Sequence, residues 1–249
     1  VSTDLQTWQT VVDARDNTTP ATPRGVVHTF EPVEARYVRL NVLKNSANRA
    51  VHVVELKLYA PGTAPAPQPA PQPDAEGFVP LFNGRNLKGW MPVEKNREFA
   101  WRVKDGLLTN MAAAPNIISE RKFWNFKIHM EYRIPAGSNS GLGLRGRYEV
   151  QIADSYGKPV GTHMMGALYS RIPPSVNASK PAGEWQTLDV TLIGRDVTVT
   201  LNDTKVIDKQ VIEGPTAIVM DTDESTPGPI FIQGDHREIE VRSVVVTPL

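Results

Sequence analysis

Between residues 99 and 246 apolar and polar residues alternate in short runs broken by turn signals. In Phe126 to Arg133, Phe126, Ile128, Met130 and Tyr132 alternate with Lys127, His129, Glu131 and Arg133. A period of two is that of a strand with one face in a core and one in water. Further strand-like runs are Phe99 to Val103, Gly141 to Arg145, Tyr148 to Ile152, Gly166 to Tyr169 and Thr187 to Ile193. Val197 to Leu201, Lys205 to Val211, Ile230 to Gln233 and Ile239 to Val246 complete the series. Asn202-Asp203 and Gly194-Arg195-Asp196 mark hairpin turns. No segment keeps a long 3.6-residue period. So many short strands in about 170 residues predict an all-β, two-sheet sandwich of jelly-roll type.

Residues 61–73, PGTAPAPQPAPQP, hold six prolines in thirteen residues. Such a run cannot form a helix or a central strand. It predicts a stiff polyproline-II spacer of about 3.1 Å per residue, roughly 40 Å when extended. The expected organisation is an N-terminal piece over 1–60, a Pro-rich linker over 61–76 and a C-terminal domain over 77–249. In the first piece Gln9 to Val12, Arg36 to Val42 and Val51 to Tyr59 are strand-like, with turns at Asp16-Asn17 and Asn45 to Asn48. About 60 residues with few large apolar groups make a poor core alone.

The 27 basic and 27 acidic residues cancel, and no Lys/Arg cluster occurs, which excludes a phosphate-backbone partner. No apolar run approaches the roughly 18 residues of a membrane span. There is no cysteine, hence no disulfide, Cys-ligated zinc or thiol catalysis. HExxH, GxSxG and phosphate-loop patterns do not occur. The abrupt start at Val1, inside a strand-like pattern, reads as processed or truncated.

The candidate chemistry lies in Asn139 to Asp154, NSGLGLRGRYEVQIAD. Tyr148, Val150 and Ile152 take a core face and leave Arg147, Glu149 and Gln151 opposite. Gln233, Asp235 and His236 extend this polar theme beyond Phe231. Gly137, Gly141, Gly143 and Gly146 suit close approach of a ligand or a bulge. Such a face fits a polar ligand such as a sugar, with Asn139, Arg145, Arg147, Gln151 and Gln233 as binding candidates. Trp185 offers a flat surface for a sugar ring. The competing reading is a solvated outer face carrying salt bridges. Asp154 falls off the polar face and is expected in a turn. Trp90, Trp101 and Trp124 are expected in the core. No cofactor is expected; Asp221, Asp223 and Glu224 form an acidic loop that offers oxygen ligands to calcium, or a solvated turn.

Two resemblances add to this. Ser2-Thr3-Asp4 with Trp8, Ala35-Arg36-Tyr37-Val38-Arg39-Leu40 and Val54-Glu55-Leu56-Lys57-Leu58-Tyr59 resemble the last half of a discoidin-like carbohydrate-binding domain. Arg36 and Arg39 are expected to be structural. The half sandwich is expected to dock on the C-terminal domain or on a missing segment. From Gly77 onward the chain resembles the 3-keto-disaccharide hydrolase-like family. The resemblance rests on Leu81-Phe82-Asn83-Gly84, Gly89-Trp90, Glu131-Tyr132-Arg133, Asn139-Ser140-Gly141 and Leu144-Arg145-Gly146-Arg147-Tyr148-Glu149-Val150-Gln151. It continues through Asp154-Ser155-Tyr156-Gly157, Gly183-Glu184-Trp185-Gln186-Thr187 and Gln233-Gly234-Asp235-His236. Val241-Arg242-Ser243 departs from the family's Phe-Arg-Asn, a change expected to affect packing.

That resemblance implies a concanavalin A-like jelly roll with a sugar site on its concave face, and cleavage of glycosides oxidised at C3. A ketone at C3 acidifies the C2 proton, so a carboxylate base can remove it and the glycosidic oxygen can leave C1. Glu149 is the first choice for that base, flanked by Arg147 and Gln151. Arg145 and His236 are candidates for the oxyanion or the leaving group. Alternatively Glu131 and Glu149 form a conventional acid and nucleophile pair. A secreted or periplasmic enzyme with a carbohydrate partner is the leading expectation. A lectin-like module or a structural subunit of an assembly are the alternatives.

Overall fold

The computed structural model describes residues 1–17, 26–43, 56, 58–61, 77–94, 96, 98–111, 114–216, 219–220 and 222–249. Two compact units are separated between Pro69 and Ala70. The linker expectation and most of the Val51 to Tyr59 strand lie outside the described residues, as do the turn at Asn45 to Asn48 and Asp221.

In the N-terminal unit the described residues contain no strand. Gln9 to Val12 and Arg36 to Val42, expected as strands, are irregular; a single bridge joins Ser2 and Tyr37. Local side-chain bonds organise this stretch instead. The Asp4 carboxylate accepts from the Gln6 and Thr7 amides, and the Arg39 guanidinium stacks on the Trp8 ring at 4.0 Å. Arg39 therefore has the structural role expected of it. The expected turn at Asp16-Asn17 is present, closed by the Asn17 amide on the Ala14 carbonyl.

The second unit is all β and the described residues contain no helix. Its strands are β1 (Val79–Pro80), β2 (Trp90–Pro92), β3 (Trp101–Lys104), β4 (Leu107–Asn110), β5 (Ile117–Phe123), β6 (Phe126–Arg133) and β7 (Asn139–Leu144). They continue as β8 (Tyr148–Ala153), β9 (Gln186–Ile193), β10 (Asp196–Leu201), β11 (Thr204–Val211), β12 (Gly228–Ile232) and β13 (Glu240–Pro248). One antiparallel sheet runs β11-β10-β9-β6-β13-β4-β3, with β1 also on β13; the other runs β2-β5-β12-β7-β8.

Alternation explains the sandwich. Ile128, Met130, Tyr132, Leu188, Val190 and Val244 from the larger sheet and Leu142, Tyr148, Val150, Ile152 and Ile230 from the smaller one form a single buried cluster. Each such side chain contributes roughly 1.5–3 kcal/mol by leaving water. The hairpins form where the turn residues allow it. Asn202 and Asp203, at φ 49° and 63°, join β10 to β11, as their side chains tolerate the left-handed region.

Four strands lack the clean alternation that reveals the others, among them β1 with only 2 residues. Ile117–Phe123 reads IISERKF, with a charged run in its second half, and β2 and β4 are only 3 and 4 residues long. Conversely, Gly166 to Tyr169 is no full strand. Its backbone covers the outer edge of β8: the Gln151 amide donates to Ala167, the Gly166 amide to Gln151 and the Tyr169 amide to Glu149. An otherwise open sheet edge is thereby closed beside the residues of interest.

Candidate active site

The smaller sheet is unusual in burying both of its faces. The face toward the larger sheet is apolar. The opposite face carries Phe231, Glu149, Gln151 and Gln233, all at most 5 % exposed. Register places them together. Gly143 lies opposite Glu149 and Phe231, Gly141 lies opposite Gln151, and Asn139 lies opposite Ala153. The Gln233 amide donates to the Gly141 carbonyl, so β12 continues alongside β7 up to the 234–238 loop.

The glycines are required by close approach. The Glu149 carboxylate lies across Gly141, where a Cβ would sit 2.1 Å from Oε1, and the Phe231 ring lies across Gly143, where a Cβ would sit 1.6 Å from the ring. Backbone bonds from Glu149 N to Thr216 Oγ1 and from Tyr169 N to the Glu149 carbonyl hold this part of β8 from outside.

Among the described residues the Glu149 carboxylate has no hydrogen-bonding partner, and burial raises its pKa to about 7, with the negative charge of Asp235 as the second cause. Around it, Gln151 Oε1, Gln233 Oε1 and Asp235 Oδ1 are buried acceptors without a donor. Gln151 is oriented by its Nε2 donating to Asn139 Oδ1 at 3.2 Å. Buried polar atoms normally find partners. A cluster of unpaired acceptors around a near-neutral carboxyl can take up a ligand that brings its own hydrogen-bond donors, and can transfer a proton near neutral pH.

The structure thus brings together Glu149, Gln151, Asn139 and Gln233 among the residues expected from the sequence, and adds Asp235, which the pattern touched but the candidate set omitted. It separates the others. Arg145 is fully buried at the β7–β8 turn and donates to Trp124 O at 2.5 Å, Gly194 O at 2.8 Å and Asn125 Oδ1 at 3.3 Å. Its guanidinium also stacks on Trp124 at 4.0 Å. Although burial lowers its pKa to about 10, it stays charged at neutral pH and serves as a latch between turns. Trp124, expected in the core, is the platform of that latch. Arg147 is also fully buried and donates to the carbonyl and hydroxyl of Thr226.

Glu131 and Trp185 lie on the outer face of the larger sheet, with the sandwich core between them and Glu149. There Glu131 pairs with Arg242, which holds its carboxyl below the usual range. Trp185 is stacked between Arg133 at 4.9 Å and Arg242 at 4.4 Å. Arg242 sits where the β13 register shifts between Val241 and Ser243. A Glu131–Glu149 acid and nucleophile pair is therefore geometrically excluded. The side chain of His236 is half exposed, its Nδ1 3.7 Å from Asp235 Oδ1. Asp154 accepts the Gly137 amide in a turn, as expected. Of the acidic loop, Glu224 is turned inward to accept the Tyr148 hydroxyl, and Asp223 caps the Ser225 amide. Among the described residues no group of three metal-ligating carboxylates and histidines forms.

The family model described as the 3-keto-alpha-glucoside-1,2-lyase-like domain matches residues 77–247. The chain belongs to this family. All the strands described above fall within the lyase-like domain, save the last residue of β13. An F5/8 type C domain model matches residues 1–56. A curated relative of the lyase-like domain is a 3-keto-disaccharide hydrolase of Bacteroides thetaiotaomicron, 23 % identical over 171 residues that cover 54 % of this chain. The match spans 59 % of that relative's length. Two solved structures from Parabacteroides distasonis, both of proteins assigned as glycosyl hydrolases, have the same fold. One is 27 % identical at a TM-score of 0.62, covering 73 % of this chain and 93 % of its own. The other is 22 % identical at 0.58, covering 70 % and 95 %.

Proposed function

We propose that the lyase-like domain is a glycoside-cleaving enzyme acting on di- or oligosaccharides oxidised at C3, with Glu149 as the base. The observation that carries this is the near-neutral Glu149 carboxyl set among Gln151, Gln233 and Asp235 acceptors without donors. A general base is most effective when its pKa lies near the working pH. The acceptors match the hydroxyl donors of a sugar. The names of the relatives supply the ketone. With C3 oxidised, removal of the C2 proton by Glu149 drives loss of the oxygen on C1, and addition of water completes a hydrolysis.

The same acceptors would suit a lectin-like module, so the test must separate binding from turnover. The chain and its Glu149→Gln variant are compared on 3-keto-glucosides and the unoxidised glucosides. Turnover of the oxidised sugars alone, lost in the variant, is the expected result. Sugar binding with no turnover of any substrate would remove the enzyme reading.

A further inference from the structure

The second carboxylate of this face is built with more care than a surface loop needs. Gly234, immediately before Asp235, donates its amide to Asn116 Oδ1 at 2.8 Å, and its carbonyl accepts from Asn110 Nδ2 at 3.0 Å. Asn110 also bonds the Arg237 carbonyl and the Ile239 amide, bracketing the loop from both sides. A Cβ on Gly234 would sit 2.8 Å from both the Pro115 carbonyl and the Trp101 ring, so the loop lies pressed on β3 and the entry to β5. The clamp leaves Asp235 Oδ1 buried without a hydrogen bond, with His236 Nδ1 3.7 Å away, while the side chain as a whole is 35 % exposed.

Rigid support for an acid with one oxygen buried away from any donor is unfavourable unless the acid has a use. We propose that Asp235 is a second catalytic carboxylate, which delivers a proton to the leaving oxygen. This rests on the glycoside-cleaving reading above. In the elimination Glu149 takes the C2 proton, the C2–H electrons form the C1=C2 bond, and the C1–O bond breaks. The departing oxygen takes the proton held on Asp235. In the hydration a water oxygen bonds to C1, the water proton returns to Asp235, and the proton on Glu149 returns to C2. One water is consumed and the pair carries one proton at the start and end of each half. The two carboxyls sense one another: burial first, and then the negative charge of Asp235, raise the pKa of Glu149.

The test uses the full chain, Asp235→Asn and Glu149→Gln on two substrates. Methyl 3-keto-glucoside has a leaving oxygen that needs a proton; 4-nitrophenyl 3-keto-glucoside has one that does not. Asp235→Asn is expected to lose about 100-fold on the methyl substrate, the scale of one acid catalyst, and under about tenfold on the nitrophenyl one. It should still exchange the C2 hydrogen with deuterated water, whereas Glu149→Gln should lose exchange and both turnovers. Equal losses of Asp235→Asn on the two substrates, or none, would overturn the proposal. If that variant unfolds, Asp235→Glu, which keeps but displaces the carboxyl, must show the same split between substrates. A wild-type chain that neither cleaves nor exchanges would instead overturn the function reading beneath it.

Discussion

Gly141 and Glu149 occupy one volume: the carboxylate lies where the glycine's missing side chain would be, 2.1 Å from an ideal Cβ. A glycine in a strand usually weakens it. Here it makes room for an acid to lie flat on the sheet. Gly141→Ala is expected to fold, because only the end of a flexible side chain must move. The moved carboxylate should lower kcat/KM by about 100-fold, the cost of a displacement near 1 Å. Circular dichroism with turnover of a 3-keto-glucoside checks both halves.

The raised pKa of Glu149 has a consequence for stability. The folded chain binds a proton that the unfolded chain releases above the ordinary carboxyl value of 4.5. Stability is therefore highest below that value and falls as the pH climbs toward about 7, where the folded carboxyl ionises. Glu149→Gln does not titrate. Its stability relative to wild type should improve by up to about 3 kcal/mol between about pH 4.5 and pH 8. Urea titrations of both proteins across that range measure it, and a constant difference would contradict the assignment.

Arg145 is expected to govern stability and leave sugar affinity alone. Arg145→Met strips donors from Trp124, Gly194 and Asn125. Leaving buried acceptors unpaired should cost about 2–4 kcal/mol. The urea midpoint should drop while KM of the folded fraction is unchanged. The reverse pattern would return this arginine to the binding set.

Glu131→Gln tests the excluded pair. Its partner Arg242 lies at the surface, side chain 42 % exposed, so the loss should be about 0.2–1 kcal/mol. kcat should stay at the wild-type value, since the sandwich core separates Glu131 from Glu149. A large fall in kcat would show that the wrong face has been assigned.

Most of the longer strands were legible because they alternate. Phe126–Arg133 matches its sequence pattern residue for residue, and β8 to β11 and β13 follow theirs within two residues at each end. Glu149 and Gln151 were legible for the same reason, as polar residues alternating with Tyr148, Val150 and Ile152. The latch role of Arg145 was not legible because strand alternation stops at the turn, where Arg145 has φ 55° and leaves the strand's geometry. Glu131 misled because alternation reports that a residue faces outward, not from which sheet. Asp235 was under-read because a loop has no period, and its place is set by Asn110 and Asn116, far away in sequence.

Periodicity, turn residues and the absence of helical spacing thus determined by themselves an all-β chain and which side of each strand is polar, because side-chain direction in a strand depends only on parity. The tertiary structure alone decided which polar sides meet. Strand order, the covered edge of β8 and the clamped 234–238 loop bring Glu149, Gln151 and Gln233 to one buried face, with Asp235 half-buried at its rim. They send Glu131 and Trp185 to the other side of the molecule. Desolvation and the neighbouring Asp235 charge, which set the proton affinity of Glu149, exist only once those distant segments have packed.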